Sequence, residues 1–447
     1  MRLVEFVPPT PHPLWKLCPQ MGITDVIVKV NPDLTGLPDP WKYETLSKIV
    51  GRLKDAGLTV VGLEGDPFDM SPIKEYGAAG ELSLAESRIP QPKAVREADA
   101  LAGVRRREEA LEHYRELLES MGKLGIKLLC YNFMVGKGWS RTGVREGRGG
   151  AKATCFSLEA MNHVEQVEQA ELHATTWLKL SHEQVWANYE YFIKAVMPTA
   201  EKCGVRMGLH PDDPCLPSLG GYARIFGSVE AYDRAYALYP SPSNAVTFCQ
   251  ANFKLMFTYD GCRNCSQITN TNPAARSASL RLCVKNNPEN PVNPVQTLAD
   301  AARHFGKRIA FIHVRDVEGT KEDFTELFHD QGDTDQFALM RTYRELGLDV
   351  PVRGDHVPEM AYDRELTPEG TPGYFTLGRL FANGYLKALL QGTRNVECVS
   401  HKERKDRKET LFTNDNCHNC SQIANVNSAL QLQLGTPTNP VNPVNPV

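Results

Sequence analysis

The chain reads as an α/β protein, a (β/α)8 TIM barrel, and three observations point there. Short β-branched runs alternate with amphipathic helical patterns through most of the sequence. The runs are nearly continuous in apolar character, as parallel strands covered on both faces require. Successive runs in the second half stop on His, Cys or Asp, and a barrel of this kind carries its chemistry at the C-terminal ends of its strands.

In chain order, the strand candidates are 3–7, 25–30, 59–65, 127–134, 206–211, 244–249, 308–314 and 350–355. Between them lie helical patterns at 43–56, 107–124, 183–203, 335–346 and 375–390, with apolar residues at three- and four-residue spacing. Gly57, Gly125, Gly204 and Gly347 stand where helices should stop, since glycine accepts the left-handed backbone that closes a last turn. A catalytic barrel is therefore assigned to 1–391.

Two segments break this rhythm. Residues 262–295 and 417–447 both open with Cys-x-x-Cys-Ser-Gln-Ile and close on Asn-Pro-Val repeats, so they are diverged copies of one element. Their Pro and Asn density forbids helix and interior strand. We expect a low-complexity insertion at 258–295, in the loop after strand six, and a charged, Asn-Pro-Val-rich disordered tail at 392–447. Cys262 and Cys265 with Cys417 and Cys420 have the spacing of a zinc ribbon. No fold-forming pattern surrounds them, so the low-complexity reading is preferred.

Composition is that of a globular enzyme, with 41% hydrophobic and 23% charged residues. A net charge of −4 supplies no basic field, which argues against nucleic acid as a partner. No apolar run approaches the roughly 20 residues that span a bilayer, so no membrane partner is expected. Met1–Phe6 reads as a strand and lacks a signal-peptide core, so a cytoplasmic location is expected. In a reducing compartment Cys18, Cys130, Cys155, Cys203, Cys215 and Cys249 read first as small buried hydrophobes.

Cys249 has a second reading. Strands five to eight end on His210, Cys249, His313 and Asp355. A single strand-end His is usually a satisfied core residue. Four such side chains delivered to one rim make a metal site. Two imidazoles, a thiolate and a carboxylate suit a borderline transition metal and suit Mg²⁺ or Ca²⁺ poorly. Asp212 and Asp213 follow His210 and either orient ligands or cap a loop.

Several blocks resemble the mannonate dehydratase family, a branch of the xylose-isomerase-like barrels. They are Tyr131–Met134, Trp139–Thr142, His210–Pro214, Arg224–Ser228, Pro242–Asn244 with Thr247–Cys249, His313–Arg315, His329 with Gly332–Asp333, Arg353–His356, and Pro372–Tyr374 followed by Gly378–Leu380. The resemblance covers about 1–257 and 296–390. It implies dehydration of D-mannonate to 2-keto-3-deoxy-D-gluconate in hexuronate (glucuronate) catabolism. It also implies a divalent metal, Mn²⁺ or Fe²⁺, held by His210, Cys249, His313 and Asp355, with His356 and Tyr374 at the proton-transfer positions. A homo-oligomer is common among such barrels. Cys215 and Gly354 depart from prolines common in the family, and neither change removes a functional atom.

The chemistry fits these residue types. Dehydrating a sugar acid requires removal of the proton at C2, beside the carboxylate, and protonation of the hydroxyl leaving C3. A divalent cation can hold the charge that develops. His356 titrates in the useful range, and the Tyr374 phenol can donate a proton. Arg353, Arg315 and Arg141 are candidates to grip the substrate carboxylate, because guanidinium binds it bidentately. Asn132, Trp139 and His329 are weaker candidates for substrate contact. Two other classes compete: a sugar isomerase or epimerase on the same barrel, disfavoured by the Cys ligand, and a catalytically silent sugar-acid-binding barrel impaired by the insertion.

Overall fold

The first strand serves two neighbours, and that closes the ring. It comes in two pieces, Arg2–Leu3 and Glu5–Val7, interrupted at Val4. The first piece pairs with the eighth barrel strand and the second with the second strand, both in parallel. The computed structural model describes residues 1–75, 93–136, 138–161, 180–257 and 297–394. Every described residue lies in one compact unit. The insertion at 258–295, the tail from 395 on and all four of their Cys-x-x-Cys cysteines lie outside the described residues.

The remaining strands follow chain order around the ring. They are Asp25–Val28, Thr59–Glu64, Leu128–Tyr131, Arg206–Leu209, Asn244–Cys249, Ile309–Val314 and Pro351–Gly354. Helices Leu14–Gln20, Tyr43–Asp55, Lys93–Leu124, His182–Cys203, Val229–Leu238, Leu298–Phe305, Gln336–Glu345 and Thr376–Gly392 follow successive strands. This is the (β/α)8 barrel expected from the alternation.

Local sequence explains the elements. Tyr43–Asp55 buries Leu46, Ile49 and Leu53, one face of a 3.6-residue period. Ser181 and Gln184 form a capping box at the start of His182–Cys203, and Gly204 ends that helix at φ 62°. Such a cap contributes about 1 kcal/mol. The sixth and seventh strands are buried at every position, as strands packed on both faces must be. Inside the ring, Val4, Ile27, Leu128, Cys130, Ala245, Ala310 and Phe311 form a filled core. Gly208 is required by close approach: a Cβ there would lie 2.6 Å from Thr247 Oγ1.

Three features exceed the sequence-based expectations. The helix expected at 107–124 begins at Lys93. The final helix runs to Gly392, and Thr393, fully buried, accepts a hydrogen bond from Arg344 Nε at 2.9 Å. The packed chain thus continues two residues past the barrel end placed at 391.

The third feature is an antiparallel sheet over the barrel mouth. Its strands, in spatial order, are Val317–Gly319, Asp323–Glu326, Lys152–Ser157 and Gly143–Glu146. One hairpin follows the fourth barrel strand and the other follows the seventh. Phe156 and Phe324 stack at 5.8 Å and, with Leu216, Leu219, Leu255 and Val317, build a separate small core beneath this rim sheet. That core fixes the hairpins to the barrel, so the rim sheet can place side chains over the strand ends.

Candidate functional site

Parallel register brings the four strand-end groups together. Cys249 is the last residue of the sixth strand and pairs across to His313 on the seventh, which in turn pairs with Arg353 on the eighth. Register neighbours on parallel strands point to the same side. A register shift between Val246 and Thr247 gives Cys249 this alignment. His210 and Asp355 each stand one residue beyond their strands, and their backbone N–H groups donate to Tyr131 O and Val314 O. One ligand atom from each of His210, Cys249, His313 and Asp355 then lies within 4.8 Å of the other three. Donor atoms about 2 Å from a common ion sit roughly 3–4 Å apart, so small side-chain movements suffice.

The donor set passes a direct test of fit. His313 is fully buried, and neither of its ring nitrogens makes a hydrogen bond. A buried imidazole whose polar neighbours stand at the limit of hydrogen-bond reach is costly unless another ligand satisfies it. The nearest carboxylate oxygens are Asp355 Oδ2 at 3.5 Å and Glu64 Oε2 at 3.6 Å. Burial pushes the Cys249 thiol up, but neighbouring His210, His313 and Arg315 overcome this and bring it down to about 6. Asp355 is buried yet held well below the usual carboxylate range, chiefly by Arg353. A thiolate and a carboxylate with two imidazoles are the groups a divalent transition cation takes. His210 Nδ1 lies 2.8 Å from Pro211 O, which leaves Nε2 for an ion.

The three arginines expected to grip substrate are held by protein carboxylates. Arg353 donates to Glu64 at 3.1 and 2.5 Å and to Asp355 Oδ1 at 2.8 Å. Arg315 donates to Glu326 at 2.8 and 2.6 Å, to Asp213 at 2.7 Å and to Asn252 Oδ1 at 2.8 Å. Arg141 reaches Asp213 at 2.8 and 3.1 Å and Glu326 at 3.2 and 2.7 Å. Arg353 therefore props Asp355. Arg315 stands behind Cys249, whose Sγ it reaches at 3.7 Å. The two aspartates after His210 divide roles: Asp213 joins this network, whereas Asp212 accepts from Phe226 N at 2.7 Å and secures its loop.

His356 and Tyr374 meet beside the ligand cluster. Their rings are 5.2 Å apart at 87°, and Tyr374 OH donates to Asp355 Oδ1 at 3.2 Å. His356 takes a left-handed backbone, φ 43°, which a non-glycine residue adopts only under local constraint. That turn lets Asp355 face the ligands while His356 faces Glu326 of the rim sheet. Trp139, 39% exposed, lies 5.1 Å from the His356 ring and 6.5 Å from Tyr374. It is the group of this cluster open to solvent, where a ligand would enter.

The other two candidates have internal partners. Asn132 Oδ1 accepts from Lys74 Nζ at 3.1 Å and from Met134 N at 3.1 Å. His329 is buried, its Nε2 lies 2.8 Å from Val314 O, and burial lowers it to about 4, so the neutral ring donates to that carbonyl. The same carbonyl receives Asp355 N, so His329 braces the ligand strand from behind. Glu64, Glu326 and Asn252 were not singled out from sequence. Glu64 ends the third strand and obeys the strand-end rule that found the ligands. Glu326 arrives on a rim hairpin, which no strand-end rule locates.

The charged network predicts acid lability. Burial raises the Glu326 carboxyl, but Arg315 foremost, with His356 and Arg141, holds it at about 2, below its ordinary 4.5. A depressed folded value stabilises the fold above the unfolded value and loses that contribution as pH falls through the folded one. Urea midpoints are therefore expected to drop between about pH 4.5 and pH 2. Glu326→Gln should flatten that segment of the curve. An equally steep loss in the variant would remove Glu326 as a source.

Comparisons with known proteins agree in kind. A family model described as D-mannonate dehydratase (UxuA) matches residues 64–261 and 261–400. A mannonate dehydratase of Streptococcus equi subsp. zooepidemicus is 29% identical over 373 residues, spanning 79% of this chain and 92% of that protein. One from Brachyspira hyodysenteriae is 26% identical over 403 residues, spanning 84% and 93%. The crystal structure of mannonate dehydratase from Streptococcus suis serotype 2 superposes with a TM-score of 0.61 at 22% identity, covering 88% of this chain and 93% of that one, and shows the same fold.

Proposed function

Since the chain belongs to the mannonate dehydratase family of hydro-lyases, we propose that it dehydrates D-mannonate to 2-keto-3-deoxy-D-gluconate with Mn²⁺ or Fe²⁺ as cofactor. One observation carries this reading: four donor groups from four successive strands lie within 4.8 Å of one another, beside a His–Tyr pair. His210, Cys249, His313 and Asp355 would hold the ion. When bound, a divalent cation supplies a Lewis acid that draws negative charge from a chelated sugar acid. His356 and Tyr374 would exchange the protons, one taking the C2 proton and the other protonating the hydroxyl that leaves C3. Arg353 and Arg315 act here by holding Asp355 and Cys249 in place. Trp139 walls the opening.

The test is incubation of purified protein with D-mannonate and Mn²⁺ under reducing conditions, with detection of the 2-keto-3-deoxy product. A folded, metal-replete protein that leaves D-mannonate untouched would sink the reading. Tyr374→Phe is expected to keep the metal and lose turnover by about 100-fold, the lower range for a positioned proton donor. Full activity in that variant would take the phenol out of the mechanism. The Asn/Pro-rich segments are proposed as additions that leave the ligand set intact. Deleting 258–295 and 395–447, which spares buried Thr393, should leave kcat within about threefold of the intact chain. A collapse of kcat on deletion would give those segments a role.

A further inference from the structure

Glu326 occupies a place that the mannonate chemistry above does not require in itself. The rim strand Asp323–Glu326 sets its carboxylate over the barrel mouth, where it is 1% exposed. Glu326 Oε1 lies 3.0 Å from His356 Nδ1. Counting hydrogens decides what joins them. Arg141 Nη2 also approaches His356 Nδ1, at 3.3 Å. A guanidinium Nη carries two hydrogens. Those of Arg141 Nη2 have closer acceptors, Glu326 Oε1 at 2.7 Å and Asp213 Oδ2 at 3.1 Å, which they serve ahead of the imidazole. Two lone pairs facing each other at 3.0 Å would repel. The proton between Nδ1 and Oε1 must then sit on one of them, and two guanidiniums already bind this carboxylate, which keeps the proton off Glu326.

We infer that Glu326 is the positioning residue for His356: it accepts the Nδ1 proton, fixes the ring orientation, and turns Nε2 toward the ligand cluster, 3.8 Å from Asp355 Oδ1. Within the proposed reaction, which this inference rests on, Nε2 is then the His356 atom that exchanges a proton with the sugar acid. A carboxylate that orients an imidazole used in proton transfer is a recurring device. Arg141 and Arg315 hold Glu326 from the far side, and the rim sheet holds all of them. That gives the sheet a catalytic purpose distinct from metal binding.

The test reads the tautomer directly. In ¹⁵N-histidine-labelled wild-type protein, His356 is assigned by its absence from His356→Asn. Its Nδ1 is expected to carry the proton, with a hydrogen-bonded Nδ1–H signal. Wild-type His356 with Nδ1 unprotonated overturns the inference, and this arm needs no variant of Glu326 to fold. Glu326→Ala should lose the Nδ1–H signal, retain one Mn²⁺ per chain, and show kcat lowered about 10- to 100-fold with KM within about threefold, as when an outer partner of a site is removed. Glu326→Asp should recover part of kcat, which a general loss of packing would not. Unchanged kcat in Glu326→Ala overturns the inference. A wild-type tautomer as expected in a protein inert toward D-mannonate would sink the functional reading and leave the positioning role standing.

Discussion

Cys249→Ser is expected to lose its transition metal and its turnover together. The sulfur is fully buried at the end of the sixth strand, opposite His313. Its thiol is lowered to about 6 by the imidazoles of His210 and His313 and the charge of Arg315. A serine hydroxyl at the same position stays protonated near neutral pH and is a poor ligand for a borderline metal. Asn252 Oδ1, which lies 2.8 Å from the sulfur, would simply accept from the new hydroxyl. The fold should therefore survive while the site weakens. Loss of an inner ligand should exceed the roughly 10- to 100-fold cost typical of outer partners. Metal content by mass spectrometry and kcat on D-mannonate are the two readouts. Full Mn²⁺ occupancy in Cys249→Ser would remove the thiolate from the ligand set.

Arg353→Met should be the variant that most damages stability. The guanidinium is 1% exposed and is shared between Glu64 and Asp355. Removing it strands two carboxylates at the barrel mouth. Breaking a buried pair from one side costs about 3–5 kcal/mol. Glu64 keeps some solvent, with its side chain 15% exposed, so the lower end of that range is expected. The urea midpoint of metal-free protein reports the loss. Mn²⁺ should return part of it, because the cation supplies a new counter-charge for Asp355 and binding adds to folded-state stability. An unshifted midpoint in metal-free Arg353→Met would show that the pair contributes nothing net. A drop that Mn²⁺ leaves wholly uncorrected would separate Arg353 from the ligand set.

Much of the site was legible because its logic is one-dimensional. A strand in a parallel barrel delivers its last residue to the rim, so His210, Cys249, His313 and Asp355 could be found from where apolar runs stop. Strand candidates overran their ends where the rim residues continue: 206–211 is Arg206–Leu209, and 127–134 is Leu128–Tyr131. His210, Pro211 and Phe133 look like strand in a pattern, yet the ladder is spent before they are reached. Glu64, the last residue of Thr59–Glu64, falls under the same rule. The arginines were a different case. Guanidinium predicts a carboxylate partner, and the sequence cannot say whether that carboxylate belongs to substrate or protein. Asp213, Glu326 and Glu64 claim them.

Alternation, glycine stops and strand-end His, Cys and Asp set the barrel and the candidate metal site of this chain without reference to coordinates, because both are consequences of local periodicity. The rim sheet, the Glu326–His356 contact and the pairing of Arg353 with Glu64 and Asp355 were decided only in three dimensions. They join residues as far apart as Glu64 and Arg353, or Arg141 and Glu326, and nothing in either local segment encodes the other. Pairing across the closed ring and the Phe156–Phe324 core bring those partners within reach, and buried charges then settle on one another because water is absent to hold them apart.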